Sequence, residues 1–218
     1  KHFVGNEAEF ERMSISSVID ERALRELYLV PFELAVKEGG ALGIMTSYNQ
    51  VNGRWVTEQR ALLIDLLREE WGFEGLVMTD WFAVADTATS LGAGLDLEMP
   101  APGKALGSAV VDAVRDGTVS EADLDAAVGR LLRGLDQIGA LDAPEPPSAP
   151  VPPGPEDVAL LRRAAAEAAV LLTNDGTLPV EPGSVGRVAI IGGPAVLPAV
   201  VGGGSAGMAL HPMVSPRD

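Results

Sequence analysis

Short apolar segments alternate with amphipathic segments along residues 1–142, and this order limits the possible folds more than any other feature of the chain. Apolar, β-prone segments that end in polar or glycine-rich sequence predict strands at 41–48, 75–79 and 91–97. Apolar side chains at helical spacing predict helices at 21–37, 57–71, 103–115 and 121–138. Strands that alternate with helices in this order predict an α/β fold with a parallel sheet and crossover helices.

Polar side chains occur where the predicted strands end. Tyr48 is the last residue of the first predicted strand, and Asp80, with its neighbour Trp81, and Glu98 follow the other two. In parallel α/β folds the carboxyl ends of the strands carry most of the functional side chains. We therefore treat these residues as candidates for a functional site.

A proline-rich segment at residues 143–155 has the composition of an extended linker and predicts a domain boundary. Beyond it, residues 156–218 predict the beginning of a second, incomplete α/β domain. A helix is expected at 156–169, and short buried strands are expected at 170–172 and 188–191.

The composition excludes several classes of function. The net charge of -15 argues against nucleic acid, because phosphate binding needs clustered Lys and Arg. No segment is both long and apolar enough to span a membrane, so we expect no membrane partner. The chain has no cysteine, which excludes disulfides and thiolate metal sites. Its acidity favours a cytoplasmic location, with secretion left open, and the oligomeric state cannot be predicted.

The sequence predicts neither a metal nor an organic cofactor. The only histidines, His2 and His211, lie far apart, which argues against a histidine-based metal site. Residues 202–207 fit the spacing G-x-G-x-x-G, but the segment that follows contains prolines and no helical pattern.

Asp80 is the strongest candidate for chemistry. An apolar strand delivers it to the edge of the sheet, where a carboxylate can attack the anomeric carbon of a sugar and form a glycosyl ester. The neighbouring Trp81 can offer an apolar face to a sugar ring. The alternative interpretation is that Asp80 caps a helix at 82–90, and the local sequence does not decide between the two.

Six motifs change that balance, because in this order they resemble those of the family 3 glycoside hydrolases. They are Lys1-His2-Phe3, the Met-x-Ser-Tyr-Asn-x-Val-Asn-Gly run at 45–53, Thr79-Asp80-Trp81, the Ala-Gly-x-Asp-x-Glu-Met-Pro run at 93–100, the run at 171–179, and Gly-Gly-Gly-Ser-Ala at 202–206. One departure is Thr79, where the family has Ser.

The resemblance implies that residues 1–142 are the C-terminal part of a (β/α)8-type catalytic barrel, TIM-like in architecture, and that 156–218 begin an α/β sandwich domain. It implies that Asp80 is the nucleophile of a retaining β-glycosidase. It also implies that the substrate is a small-molecule or oligosaccharide β-glycoside. The residues that would bind this sugar are Lys1, His2, Met45, Tyr48 and Trp81.

For the remaining acidic residues, the favoured interpretation is structural. Asp96 and Glu98 are expected to shape the loop after a strand, and Glu7 is expected to pair with Arg12.

Val4-Gly5-Asn6 stands where the N-acetylglucosaminidase branch of the family has Pro-Gly-His, which favours the β-glucosidase branch, with β-xylosidase as an alternative. No glutamate beyond the linker matches an acid/base motif, so we assign no acid/base residue within this chain. We interpret the chain as an internal piece of a longer enzyme, inactive or weak by itself. The alternative is a non-catalytic remnant that binds sugar.

Overall fold

The structure, a computed structural model, describes residues 1–84, 86–143, 152–198, 200 and 214–216. The chain separates into two compact units, Lys1–Pro144 and Glu145–Asp218. Most of the predicted linker, residues 144–151, lies outside the described residues, as does the glycine-rich motif at 202–206. The predicted domain limits stay a prediction.

Five short strands form two small sheets in the first unit. They are β1 Ser16–Ser17, β2 Gly43–Met45, β3 Gln50–Val51, β4 Arg54–Trp55 and β5 Leu76–Met78. The first sheet has the order β1-β3-β4, with β1 and β3 parallel and β3 and β4 antiparallel. The second sheet pairs β2 with β5 in parallel, and Met45 lies opposite Met78.

Single parallel bridges extend the second sheet on both sides. Phe3 pairs with Thr46 next to β2, and Leu97 pairs with Met78 of β5. Four chain segments therefore run side by side in one direction, which confirms the predicted parallel α/β arrangement. The described strands do not close into a barrel, so the barrel remains an inference from the resemblance.

Helices connect these segments, close to where they were predicted. The α-helices of the first unit are α1 Glu21–Ala23, α2 Val30–Lys37, α3 Thr87–Gly92, α4 Ala109–Arg115 and α5 Glu121–Gln137. Two π-helical segments, Leu24–Tyr28 and Ala61–Glu70, and a 3-10 turn at Val56–Glu58 complete the set. The Ser120 hydroxyl accepts a hydrogen bond from the amide of Asp123 and so caps α5.

The predicted strand at 91–97 is wrong over most of its length. Leu91 belongs to α3, and only Leu97 makes a strand-like bridge. Between them Gly94 has a φ of +97°, and a Cβ there would lie 2.7 Å from Cγ1 of Ile64. This left-handed turn, which side chains disfavour, ends the helix and prevents an extended strand.

The main core lies between the parallel segments and the helices. Its packing positions the edge of the sheet at which the site lies. Phe3 is fully buried and packs edge-on against Phe32 and Trp71, with ring centroids 5.1 and 6.4 Å away. These T-shaped contacts add to the burial of apolar area. Because His2 directly precedes Phe3, this packing fixes where the His2 side chain can reach.

The second unit differs from the prediction. Helix α6, Pro155–Glu167, confirms the expected helix. The strands expected at 170–172 and 188–191 are wrong, because the structure has no strand there. Leu172 is 90% exposed and Ile191 is 92% exposed. An apolar segment becomes a strand only when a neighbour accepts its backbone hydrogen bonds, and the described residues of this unit provide none.

Candidate functional site

The site lies where β2 and β5 end. Because these strands are parallel and in register, the residues that follow them emerge at the same edge. Tyr48 follows β2, and Asp80 follows β5. Both side chains are buried, at 8% and 6% exposure.

Three donors surround the Asp80 carboxylate. The backbone amide of Trp81 donates to Oδ1 at 2.7 Å. Nε2 of His2 lies 3.3 Å from Oδ2. The Tyr48 phenol is the third, and its interaction with Asp80 contributes to the raised pKa of Tyr48. A buried carboxylate needs such donors, because burying an unpaired charge costs far more than the about 2–7 kcal/mol of an unpaired neutral polar group.

Asp80 does not cap a helix. The helix after it is α3, which begins at Thr87 rather than Phe82, and its cap is Asp86, whose Oδ1 accepts the amide of Thr89 at 2.7 Å. Between Asp80 and this cap the chain turns, with Phe82 at a φ of +67°. The alternative interpretation of Asp80 is therefore wrong, and its carboxylate is free of that structural role.

Tyr48 is held as a neutral phenol. Burial raises its pKa, and the hydrogen bond to Asp80 raises it further. A phenol donates its proton to a carboxylate, whereas a phenolate would repel one. The Tyr48 hydroxyl is therefore a donor to Asp80 at neutral pH.

Arg12 occupies a position that the sequence did not predict. Its guanidinium carbon lies 4.6 Å from the centroid of the Tyr48 ring. It pairs with Glu9, at 2.9 Å from Nη1 to Oε2, and not with Glu7 as expected. The three-residue spacing of Glu9 and Arg12 is the one sequence signal that pointed to this pair.

Asp96 has the structural role that was favoured for it. Its side chain is fully buried, and it accepts hydrogen bonds from Nη2 of Arg68 at 2.7 Å and from Nε of Arg130 at 2.6 Å. The amide of Val77 in β5 donates to it at 2.8 Å. Burial lowers the pKa of Arg68, although Asp96 opposes this shift. Asp96 thus ties β5 to two helices.

Glu98 is also structural. Its carboxylate accepts the backbone amides of Lys104, Ala105 and Leu106 at 2.7–2.9 Å. These bonds replace helical ones, which explains why the helix predicted at 103–115 begins only at Ala109. The loop of residues 99–106 so formed lies against the turn after Asp80, since Phe82 donates to the carbonyl of Met99 at 2.8 Å.

The other predicted sugar-binding residues lie around this centre. Trp81 is 39% exposed beside Asp80, and Met45 is half-buried in β2. Lys1 is exposed next to His2. The structure therefore brings His2 and Tyr48 directly onto Asp80.

A small cavity of about 120 Å³ adjoins Tyr48 and is lined by Met13, Tyr48, Trp55, Phe82, Ala83 and Val84. A larger cavity of about 370 Å³ lies by Glu58, Gln59 and Ala88, and none of the predicted site residues lines it. Tyr48 is the only predicted site residue that lines the smaller cavity, which therefore adjoins the site and does not enclose Asp80.

Among the described residues no group of three or more His, Cys, Asp or Glu side chains could hold a metal ion. The helices in the described ranges also include none with the length and apolar character of a membrane span.

Comparisons with known proteins agree with the motifs. The family model described as "Glycosyl hydrolase family 3 N terminal domain" matches residues 1–134. A β-glucosidase of Rhizobium radiobacter is 49% identical over 218 residues, 100% of this chain and 27% of that protein. Probable β-glucosidase J of Emericella nidulans is 43% identical over 218 residues, 25% of that protein. The chain thus spans about a quarter of the length of these curated relatives.

Solved structures give the same picture. β-Glucosidase 3B from Thermotoga neapolitana in complex with glycerol is similar with a TM-score of 0.68 and 37% identity, over 83% of this chain and 26% of that one. The β-glucosidase from Kluyveromyces marxianus in complex with glucose has a TM-score of 0.70 and 38% identity, over 83% and 22%.

Proposed function

The family model covers more than half of the chain, so the chain belongs to glycosyl hydrolase family 3, and on this premise we propose that it carries the nucleophile of a retaining β-glycosidase of the β-glucosidase type. The observation that supports the proposal most directly is the environment of Asp80. This carboxylate is buried at the carboxyl end of β5, caps no helix and is held by three donors.

The donors prepare the carboxylate for attack. The Trp81 amide fixes Oδ1, and the His2 and Tyr48 side chains orient the group from other directions. A carboxylate oxygen forms a bond to the anomeric carbon while the bond to the leaving oxygen breaks, and that oxygen takes a proton from an acid. Water then attacks the same carbon and gives a proton to the conjugate base of that acid, the ester bond breaks, and the Asp80 carboxylate is restored.

The acid/base partner is not assigned to this chain. A retaining enzyme needs a second carboxyl group about 5–5.5 Å from the nucleophile. Asp96 and Glu98 flank Leu97, whose carbonyl accepts the amide of Thr79 beside the nucleophile, but arginines and backbone amides engage their carboxylates. Neither is available to donate a proton to a leaving group.

For the sugar we propose a terminal, non-reducing β-glucoside bound by Lys1, His2, Met45, Tyr48 and Trp81. The names of the similar proteins support glucose. Lys1 and His2 offer donors for hydroxyl groups, and the exposed part of Trp81 offers an apolar face. Comparing kcat/KM for an aryl β-glucoside and an aryl β-xyloside decides between these two sugars.

Covalent trapping tests the nucleophile. The reagent is a 2-deoxy-2-fluoro-β-glucoside with a dinitrophenolate leaving group, which departs without help from an acid. It is incubated with this chain and with the intact protein that contains these residues, and the label is located by peptide mass mapping.

We expect a fluoroglucosyl label on Asp80 and none in the Asp80→Asn variant. Asp86→Asn is the matched control, because it changes a nearby aspartate whose capping role Asn can fulfil. A label on another residue, or full turnover by Asp80→Asn, contradicts the proposal.

A further inference from the structure

Arg12 stacks on the residue that holds the nucleophile. The guanidinium lies 4.6 Å from the centroid of Tyr48, and Tyr48 and Asp80 emerge at the same edge, after the paired strands β2 and β5. We propose that Arg12 is a positioning residue, which fixes the Tyr48 ring so that its hydroxyl points at the Asp80 carboxylate. This inference rests on the proposed function of Asp80.

The guanidinium is itself held in place. About half of the Arg12 side chain is exposed, at 47%, and a long exposed side chain loses much entropy when it is fixed. Glu9 offsets this cost, because its Oε2 binds Nη1 at 2.9 Å, and the hydrogen bond to Glu9 raises the pKa of Arg12. The Arg12 guanidinium is therefore bound by the Glu9 carboxylate and also packs on the face of the Tyr48 ring.

The stacking restricts the ring more than burial alone does. A cation prefers the centre of an aromatic face, so Arg12 opposes any tilt of the Tyr48 ring out of the orientation seen in the structure. The cavity of about 120 Å³ that Tyr48 lines leaves room for such a tilt. Without Arg12 the hydroxyl would spend less time on Asp80, and fewer molecules would have an oriented nucleophile.

Kinetics of three variants in the intact protein test this role. For Arg12→Gln we expect kcat/KM to fall roughly fivefold, mostly in kcat, because a cation–π contact is lost and no sugar contact is removed. Arg12→Lys retains a cation and should stay within about twofold of wild type. Glu9→Gln should show a smaller loss than Arg12→Gln, since it only frees the guanidinium.

The decisive measurement is a double-mutant cycle with Tyr48→Phe. If Arg12 acts through the Tyr48 hydroxyl, Arg12→Gln adds less than about twofold to the loss caused by Tyr48→Phe. Losses that multiply, or a rise in KM with kcat unchanged, overturn the inference and indicate a direct contact with substrate.

Two further controls separate the possible failures. Arg22→Gln removes an arginine with a similar exposed ion pair, to Glu26 at 2.9 Å, and should leave kcat/KM unchanged. Trapping on Asp80 in the wild-type protein tests the nucleophile itself. If Asp80 is labelled and the losses of Arg12→Gln and Tyr48→Phe multiply, only the proposed role of Arg12 is wrong. If Asp80 is not labelled, both proposals are wrong.

Discussion

Nε2 of His2 lies 3.3 Å from Oδ2 of Asp80, on the carboxylate oxygen that the Trp81 amide does not occupy. The two residues are 78 positions apart in the printed sequence, and the parallel row of Phe3, β2 and β5 brings them together. The two oxygens of the carboxylate thus have different partners, one from the backbone and one from a side chain. The side-chain partner can be changed without disturbing the strand.

His2→Ala removes that partner. A hydrogen bond to a charged group contributes about 1.5–3 kcal/mol, so we expect covalent labelling of Asp80 to slow by at least about tenfold. The measurement is the rate of label incorporation from the activated fluoroglucoside. His2→Asn, which retains a side-chain donor, should recover part of the rate. Labelling of His2→Ala at the wild-type rate would show that this contact has no part in the reaction.

Tyr48 provides a prediction about pH. Burial, followed by the hydrogen bond to Asp80, raises its pKa above the ordinary 10.0, so the folded protein retains this proton more strongly than the unfolded chain. The stability that Tyr48 contributes is therefore full below the unfolded pKa and is lost as pH rises through the higher native value.

The chain has two tyrosines, so Tyr28→Phe leaves Tyr48 as the only one. In that background the tyrosinate absorbance should appear above pH 10.0, and adding Asp80→Asn should move it down toward that value. Ionisation of native Tyr48 at or below the pH found for the unfolded chain would contradict the assignment.

Asp96→Asn should strongly destabilise the first unit. The fully buried carboxylate satisfies Arg68, Arg130 and the amide of Val77, and an amide cannot neutralise the two guanidinium groups. Removing one member of a buried ion pair typically costs about 3–5 kcal/mol. The measurement is the free energy of unfolding in urea. Asp112→Asn, at an exposed pair with Arg115 at 3.7 Å, should change it little. Equal stabilities of the two variants would refute the buried network.

The sequence predicted the site best where a local rule was sufficient. An apolar strand followed by a polar residue placed Tyr48 and Asp80 correctly at one sheet edge, because parallel strands in register end together. Residue types alone could not decide whether Asp80 caps a helix. That depended on α3 beginning five residues later than expected, at Thr87 rather than Phe82, with Asp86 as its cap.

The failures have a common physical cause, because they depend on partners distant in sequence. The strands expected at 170–172 and 188–191 needed a paired neighbour, and their apolar composition could not show that none is present among residues 152–198. The contact of Arg12 with Tyr48 joins residues 36 positions apart in the printed sequence, whereas ion-pair rules describe only neighbours on one segment. The late start of α4 followed from Glu98, which takes the amides that would otherwise begin the helix.

Glu98 holds the 99–106 loop through hydrogen bonds to backbone amides, so exposed side chains of the loop can be substituted without breaking these bonds. The three amides it binds belong to the main chain, so the exposed side chains of the loop are not needed to hold it. Ala105 and Leu106 are different, because they pack into the core. Gly103 must also stay small, since a Cβ would lie 2.8 Å from Oε2 of Glu98. Lys104, whose ammonium lies 5.7 Å from the centroid of Phe82, is one such freely variable side chain. A designer who retains Glu98, Gly103, Ala105 and Leu106 can therefore diversify the surface beside the nucleophile while leaving the nucleophile in place.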